Sequence, residues 1–166
     1  MSIAICPGSF DPITLGHLNI IRRASHIFDE VIVCVLNNAA KPSTMFTIEE
    51  RVDMIDRSIQ RYGNVRVEYY SGLLAEYASR FEHAVIVKGL RAASDFEYEF
   101  QMNLVNKRIN SSLETMFLTS SEKYTFLSSS IVREMSKYGA DLTGLVPHEI
   151  IPDIEKKAEL WRSQNG

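Results

Sequence analysis

Residues 3–17 read IAICPGSFDPITLGH and join a short apolar run to the start of a helix. The run is typical of a buried β-strand, and Gly8 at its end allows a tight turn and close approach of the backbone to a ligand. Ser9 adds a hydroxyl at that turn, and Gly16 lets an anion come near the helix start. His17 stands in the first helical turn, whose free N–H groups and dipole attract anions. The segment therefore predicts a strand, loop and helix that bind a phosphate, with a hydrogen bond from His17.

The rest of the chain continues the alternation of strand and helix. Apolar runs rich in β-branched residues predict further strands at 31–36, 65–70, 84–87 and 115–119. Helical spacing and capping signals predict helices at about 16–28, 47–61, 73–80, 95–109 and 128–138, with a C-terminal helix at about 147–162. Near-continuous apolar strands joined by helices predict an α/β fold, a Rossmann-like doubly wound parallel five-stranded sheet with helices on both faces. With 166 residues and no repeat or linker, residues 1–166 are expected to form a single domain.

Composition and charge narrow the class of protein. A net charge of -3 and a pI near 5.8 argue against a nucleic-acid partner, which usually requires a basic excess. The N-terminus lacks the pattern of a signal peptide, and no run approaches the roughly 18 apolar residues of a membrane span. Cys6 and Cys34 lie in apolar runs without a CxxC pair, which is typical of buried thiols in a reducing compartment. We therefore expect a cytoplasmic protein with no nucleic acid and no membrane partner.

A second segment that could bind a ligand is AVIVKGLR at 84–91. It is expected to end a strand with Lys88 and Arg91 on either side of a turn at Gly89. Cations directly after a buried strand are costly unless they meet an anion. The carboxylates of residues 95–99 could provide it, in which case the loop is only an ion-pair network. Two cations and exposed glycine amides at the end of a strand suit phosphate binding better.

A third loop is YTFLSSSIVR at 124–133, which places three serines at a helix start. Taken alone, such a triplet is an ordinary helix N-cap. Beside other phosphate loops it offers hydroxyl and N–H groups to an anion, with Tyr124 and Phe126 as a wall for adenine. Lys41 adds a cation after the second strand.

In doubly wound sheets ligands bind beyond the carboxyl ends of the strands, so these loops are expected to meet in one pocket. The pocket would hold anions but contain no nucleophile of the protein and no evident general base. A phosphate monoester needs no strong base in order to attack another phosphate. The constellation therefore predicts phosphoryl or nucleotidyl transfer to an acceptor that is already an anion.

The same motifs resemble a known family. GSFDP at 8–12 followed by TLGH at 14–17 is similar to the N-terminal signature of the nucleotidyltransferases marked by (H/T)xGH. KGLRAASDFEYE at 88–99, FLSSSIVR at 126–133 and MFTIEER at 45–51 resemble the bacterial phosphopantetheine adenylyltransferases. The matches follow the order and spacing of that family over most of the chain.

The resemblance implies transfer of AMP from ATP to 4′-phosphopantetheine, giving dephospho-coenzyme A and pyrophosphate in coenzyme A synthesis. It also implies Mg²⁺ as a cofactor and a homohexamer. Because no carboxylate cluster stands out in the sequence, we expect Mg²⁺ to be held mainly by the ATP phosphates and water, with no ligand residue of the protein assigned. Transition-state roles are implied for His17, Lys41 and Arg91. Contacts to the acceptor are implied for Ser9, Lys41, Leu74 and Lys88. Contacts to ATP are implied for Ser9, Phe10, His17, Gly89, Leu90, Arg91, Glu99, Tyr124, Thr125, Phe126, Leu127, Ser128, Ser129 and Ser130.

Two positions differ from the commonest pattern of the family. Ser9 stands where some members have Thr, which retains the hydroxyl. Lys88 stands where many have Arg, so a bidentate grip on the acceptor phosphate becomes a point charge and weaker acceptor binding is expected.

Two alternative functions also fit parts of the sequence. The first motif alone would also fit a nucleotidyltransferase acting on nicotinamide mononucleotide, or on glycerol phosphate with CTP; the 88–99 run favours phosphopantetheine. A non-catalytic nucleotide-binding module is the other alternative, and the retention of His17 and both phosphate loops argues against it.

Overall fold

The computed structural model describes residues 1–37 and 43–165, with residue 94 described for its backbone alone. Five strands form one sheet: β1 (Ile3–Gly8), β2 (Glu30–Leu36), β3 (Val65–Tyr70), β4 (Ala84–Leu90) and β5 (Glu114–Thr119). The helices are α1 (Leu15–Ser25), α2 (Ile48–Ile59), α3 (Leu74–Ala78), α4 (Ala93–Ile109), α5 (Ser129–Lys137) and α6 (Ile151–Asn165). Short 3₁₀ turns at Glu122–Tyr124 and His148–Ile150 precede α5 and α6.

All strand pairs are parallel, and the strand order is β3-β2-β1-β4-β5. The chain winds outward in one direction from β1 through β2 to β3, then crosses back to β4 on the other side of β1. The order therefore reverses between β1 and β4, which is where ligands bind in open sheets of this kind. The predicted doubly wound five-stranded sheet is confirmed.

Alternating strand residues form a separate apolar core on each face of the sheet. One core contains Ala4, Cys6, Val31 and Val33 together with residues of α1, α2, α5 and α6. The other contains strand residues such as Ile5, with residues of α3. Each fully buried aliphatic side chain contributes about 1.5–3 kcal/mol, so a one-residue slip of a strand would be strongly unfavourable. Cys6 and Cys34 are buried free thiols, as predicted.

The ends of several elements differ from the sequence-based prediction. β4 continues to Leu90, because Lys88, Gly89 and Leu90 pair with Phe117, Leu118 and Thr119 of β5. The predicted turn at Gly89 is therefore wrong.

The helix boundaries differ by a few residues. α1 begins one residue earlier than predicted, after an N-cap at Thr14, and ends at Ser25 instead of Phe28. The C-terminal helix, predicted at about 147–162, is preceded by the 3₁₀ turn and occupies Ile151–Asn165. No helix in the described part of the chain is long and apolar enough to cross a bilayer.

Candidate active site

The loop after β1 makes a sharp turn that brings Ser9 and His17 to the carboxyl edge of the sheet. The left-handed backbone conformation lies at Phe10, with φ of 48°, and the Asp11–Pro12 peptide is cis. Gly8, predicted to provide the turn, is instead the last residue of β1. A Cβ added at Gly8 would lie 3.1 Å from the Phe10 ring, so a larger residue here would require this ring to shift.

His17 is held by the cap of its own helix. The Thr14 N–H donates to Nδ1 at 3.0 Å, and the Thr14 hydroxyl lies 3.1 Å from the same nitrogen. Because Nδ1 accepts a backbone hydrogen, the neutral ring carries its proton on Nε2. Burial, together with the positive charges of Arg91 and Lys88, lowers the pKa of His17 from 6.5 to about 4. At neutral pH His17 is therefore an uncharged donor through Nε2.

A cavity of about 370 Å³, the His17 cavity, opens between the ends of β1 and β4 and the start of α5. Nine of the residues expected to contact ATP line it: Phe10, His17, Gly89, Arg91, Glu99, Tyr124, Leu127, Ser128 and Ser129. The other five expected ATP contacts, Ser9, Leu90, Thr125, Phe126 and Ser130, lie outside this lining, and Phe126 is 58% exposed.

A second cavity of about 320 Å³, the Ser9 cavity, lies between β1, the start of α3 and α4. Three residues expected to hold the acceptor line it, namely Ser9, Leu74 and Lys88. Pro7, Gly8, Lys88 and Glu99 line both cavities, so the two spaces adjoin at the end of β1. Lys41, expected to act in catalysis and acceptor binding, lies outside the described residues.

Both cations of the second motif are paired with carboxylates. Lys88 Nζ lies 3.3 Å from Glu99 Oε1, and Arg91 Nε lies 3.2 Å from Asp95 Oδ2. Arg91 also donates through Nη1 to the Leu127 carbonyl at 3.1 Å. The ion-pair network considered above is thus present, yet both cations also line the His17 cavity. Such partly exposed pairs are weak, so an entering phosphate can share or replace a carboxylate.

The serine hydroxyls have structural partners. Ser128 Oγ accepts from the Ile131 N–H at 3.3 Å as the N-cap of α5. Ser129 Oγ donates to the Pro12 carbonyl at 2.7 Å, and Ser130 Oγ accepts from Arg133 at 3.2 Å. Ser128 and Ser130 only accept in these bonds, so their O–H hydrogens can still be donated to an anion, together with the first N–H groups and the dipole of α5.

Three charged residues outside the lining of both cavities, Asp11, Arg51 and Arg133, were given no role in the sequence-based prediction. Asp11 and Arg51 are 5% and 3% exposed, and Arg133 is half-buried. Arg51 could have been found, because its position shares the apolar face of α2 with Met54 and Ile55. Asp11 and Arg133 carry no periodic signal, since their contacts join distant parts of the chain.

Comparison with known proteins assigns the family. The sequence model of the family described as cytidylyltransferase-like matches residues 5–135. The chain is 51% identical to a phosphopantetheine adenylyltransferase of Finegoldia magna, over 91% of this chain and 93% of that protein. It is 54% identical to a phosphopantetheine adenylyltransferase of Clostridium kluyveri, over 95% of both chains. The chain belongs to the phosphopantetheine adenylyltransferase family.

Membership of the phosphopantetheine adenylyltransferase family confirms the predicted resemblance and makes the chain a nucleotidyltransferase. A solved structure from Vibrio parahaemolyticus, provisionally named a nicotinate-nucleotide adenylyltransferase, matches with a TM-score of 0.71 over 98% of this chain and 96% of that one. At 21% identity this match bears on the fold alone, and it agrees with the Rossmann-like sheet. The role of each site residue in this family member stays a prediction.

Proposed function

We propose that this chain transfers the AMP part of ATP to the phosphate of 4′-phosphopantetheine, giving dephospho-coenzyme A and pyrophosphate for coenzyme A synthesis. The observation that carries the proposal is the meeting of two cavities at Gly8, Lys88 and Glu99. A nucleotide in the His17 cavity and an acceptor in the Ser9 cavity would bring their phosphates together at that junction. The names of the relatives support the same pair of substrates.

The reaction proceeds by direct in-line attack of the acceptor phosphate on the α-phosphate of ATP. The attacking oxygen forms a bond to the α-phosphorus as the bond to the β-phosphate oxygen breaks, and pyrophosphate departs with that oxygen. The acceptor is already an anion, so no proton needs to be removed. This agrees with the polar groups of the His17 cavity, because His17 Nδ1 is occupied by Thr14, and Asp95 and Glu99 are paired with cations.

Charge stabilisation then becomes the main contribution of the protein. His17 donates through Nε2 to the α-phosphate, and Arg91 stabilises charge on the phosphates as pyrophosphate leaves. Lys88 holds the acceptor phosphate from its position between the two cavities. Lys41 is proposed to assist at both phosphates on the strength of the family resemblance. A neutral donor such as His17 suits this role, because it cannot lose its hydrogen to the phosphate at neutral pH.

The Ser9 cavity suits the arm of the acceptor, which carries two amides on an apolar chain. Leu74 and Met102 provide apolar lining. Asn103 Oδ1 and Thr115 Oγ1 line the same cavity, are buried, and have no hydrogen-bond partner in the described part of the chain. Buried polar atoms of this kind are costly unless a ligand or water satisfies them.

Magnesium is proposed to arrive with ATP. Residues 1–37 and 43–165 contain no group of three or more His, Cys, Asp or Glu residues that could hold a metal ion. Oxygen ligands from the ATP phosphates and water suit Mg²⁺, which would neutralise part of the phosphate charge. We place the reaction in the cytoplasm, in keeping with two free buried thiols.

A homohexamer is proposed from the family resemblance and supported by the surface of α4. Seven apolar or aromatic side chains of this helix are exposed: Phe96, Tyr98, Phe100, Met102, Leu104, Val105 and Ile109. An apolar surface of this extent is typical of a contact between subunits. Light scattering is expected to give about six times the 18.9-kDa chain mass, and Leu104→Lys is expected to lower that mass.

The stereochemistry at phosphorus tests the proposed mechanism. ATP carrying a chiral sulfur at the α-phosphorus is converted with 4′-phosphopantetheine, and the configuration of the product is determined. A single in-line displacement inverts the configuration. Retention would mean two displacements through a covalent intermediate and would contradict direct attack.

A further inference from the structure

A buried carboxylate outside both cavities holds the turn that carries Ser9 and His17. Asp11 is 5% exposed, and each of its carboxylate oxygens accepts one backbone hydrogen. Oδ2 accepts from the Met45 N–H at 3.0 Å, and Oδ1 accepts from the Phe46 N–H at 2.9 Å. These two residues lead directly into the N-cap of α2 at Thr47. Asp11 therefore fixes the turn against the segment before α2.

The same turn is fixed to α5 by Arg133. Its Nη1 donates to the Asp11 carbonyl at 2.6 Å and lies 3.6 Å from Asp11 Oδ2. Its Nη2 donates to Ser130 Oγ at 3.2 Å, in the first turn of α5. The Ser129 hydroxyl adds a bond to the Pro12 carbonyl at 2.7 Å. One guanidinium thus joins the turn of the His17 cavity to the helix start on its other side.

Arg51 provides a third connection. It is 3% exposed, and it donates through Nη1 to the Ser9 carbonyl at 2.8 Å and through Nε to the Thr47 carbonyl at 3.2 Å. No carboxylate of the described residues lies within salt-bridge distance of it. Its two bonds hold Ser9, which lines the Ser9 cavity, against the start of α2.

We propose that Asp11 is a positioning residue for adenylyl transfer: with Arg133 it sets the turn of Ser9 and His17 against the starts of α2 and α5. The inference rests on the function proposed above. Asp11 lines neither cavity, so it acts through the groups that do. Its bonds to the Met45 and Phe46 N–H groups fix the turn to the start of α2, and its bond from Arg133 fixes the turn to α5.

The chemistry of the network favours a positioning role over a purely stabilising one. Burying the Asp11 carboxylate and the Arg51 guanidinium costs free energy, and apolar packing of similar volume is often at least as stable. Two oxygens that each take one N–H, and a guanidinium that forks between two acceptors, fix direction as well as distance. Transfer between two phosphates depends on such alignment, and a misplacement of about 1 Å can lower turnover about 100-fold.

Asp11→Asn tests the proposal, because it keeps the shape and changes the hydrogen bonding. One oxygen can still accept, but the amide N–H₂ faces the second backbone N–H and repels it. We expect kcat to fall by about 100-fold while the KM for ATP changes by less than about threefold, since the cavity lining remains. Amide hydrogen exchange at Met45 and Phe46 should become faster in the full-length chain without any substrate.

Arg57→Ala is the matched control. Arg57 joins α2 to α6 through Asp153 at 3.0 Å and the Glu149 carbonyl at 2.9 Å, away from both cavities. Its loss should lower stability and leave kcat near that of the wild type. If Asp11→Asn does not fold, Arg133→Lys replaces it, because lysine keeps the charge but lacks the rigid planar donor geometry with which Arg133 reaches both Asp11 and Ser130. Arg133→Lys is then expected to lower kcat with little change in the KM for ATP.

Wild-type kcat in a folded Asp11→Asn or Arg133→Lys variant would overturn the proposal. A loss no greater than that of Arg57→Ala at equal stability would also overturn it. Unchanged exchange at Met45 and Phe46 in Asp11→Asn would overturn it independently of any activity. A wild-type chain that transfers nothing to phosphopantetheine would instead contradict the proposed function, and the exchange measurement would still test the network.

Discussion

Replacing His17 with Asn separates the two hydrogen-bonding roles of its ring. Nδ1 accepts the Thr14 N–H at 3.0 Å, and the side-chain oxygen of Asn can take nearly the same position. The bond that caps α1 is therefore kept. Asn has no donor at the position of Nε2, so the hydrogen bond to the α-phosphate is lost. The complementary variant is His17→Gln, whose longer amide can place a donor near Nε2 but leaves Thr14 N–H without its acceptor.

The size of the effect follows from the state of the ring. With a pKa of about 4, His17 is neutral at pH 7 and contributes one preorganised donor without a charge. Losing one such donor to a transition state lowers kcat by about 10²–10³, or about 2.7–4 kcal/mol. We expect His17→Asn to lose turnover on this scale, with a stability change below about 1 kcal/mol because the cap remains. His17→Gln should lose less turnover and more stability.

Two measurements together check the role of His17. Initial rates of pyrophosphate release give kcat and KM, and titration of the protein with ATP in the absence of acceptor gives the dissociation constant. A donor specific to the transition state lowers kcat and leaves ATP affinity nearly unchanged. If ATP affinity fell by the same factor as kcat/KM while turnover per bound complex stayed intact, His17 would only bind the ground state and the reasoning would be refuted.

Three further predictions concern single residues of the site. Lys88→Ala should raise the KM of the acceptor more than that of ATP, and equal effects on both substrates would mean that Lys88 does not bind the acceptor. Lys88→Arg should lower the acceptor KM, because arginine can bind the acceptor phosphate through two hydrogen bonds. The free energy of unfolding should fall as pH drops from 6.5 to about 4, because the unfolded chain protonates His17 more readily than the folded one, and urea titrations should find a weaker pH dependence in His17→Asn. Gly89→Ala should lower the free energy of unfolding by about 1–3 kcal/mol, because its Cβ would lie 2.9 Å from the Ile20 side chain. Gly63→Ala is the control and should change it far less, because nothing lies within 4 Å of a Cβ added there. Thermal melts of the two variants check the difference.

Local signals in the sequence predicted most of the fold. The β-branched runs located all five strands, and the capping box at Thr47 and Glu50 located the start of α2. Both are patterns of neighbouring residues, so a single sequence contains them. The extension of β4 through Gly89 was missed because it depends on pairing with β5 and on room for Ile20 of α1.

The site was predicted less completely than the fold. The loops after β1 and β4 were expected to meet, and they do, because the carboxyl ends of parallel strands share one edge of the sheet. The division into two cavities could not be predicted, since it depends on how α4 packs beside β4. The contacts of Asp11 span 34, 35 and 122 residues along the chain, and no local pattern indicates such partners.

The exposure of α4 was also outside the reach of sequence reasoning. Its apolar residues predicted a helix, and the helix is present as Ala93–Ile109. Whether such residues face the core of the same chain or another subunit depends on tertiary packing. Among the side chains of α4 that the structure describes, Asn106 alone is buried, and this exposure gives the proposed homo-oligomer a defined contact surface.

Release of pyrophosphate from ATP and Mg²⁺, with 4′-phosphopantetheine, nicotinamide mononucleotide and glycerol 3-phosphate offered separately, tests the proposed reaction most directly. Release is predicted with 4′-phosphopantetheine and not with the other two acceptors. Release with a different acceptor instead would contradict the assigned substrate while keeping the chemistry of the site. No release with any acceptor, despite measurable ATP binding, would contradict catalysis itself and favour a nucleotide-binding module.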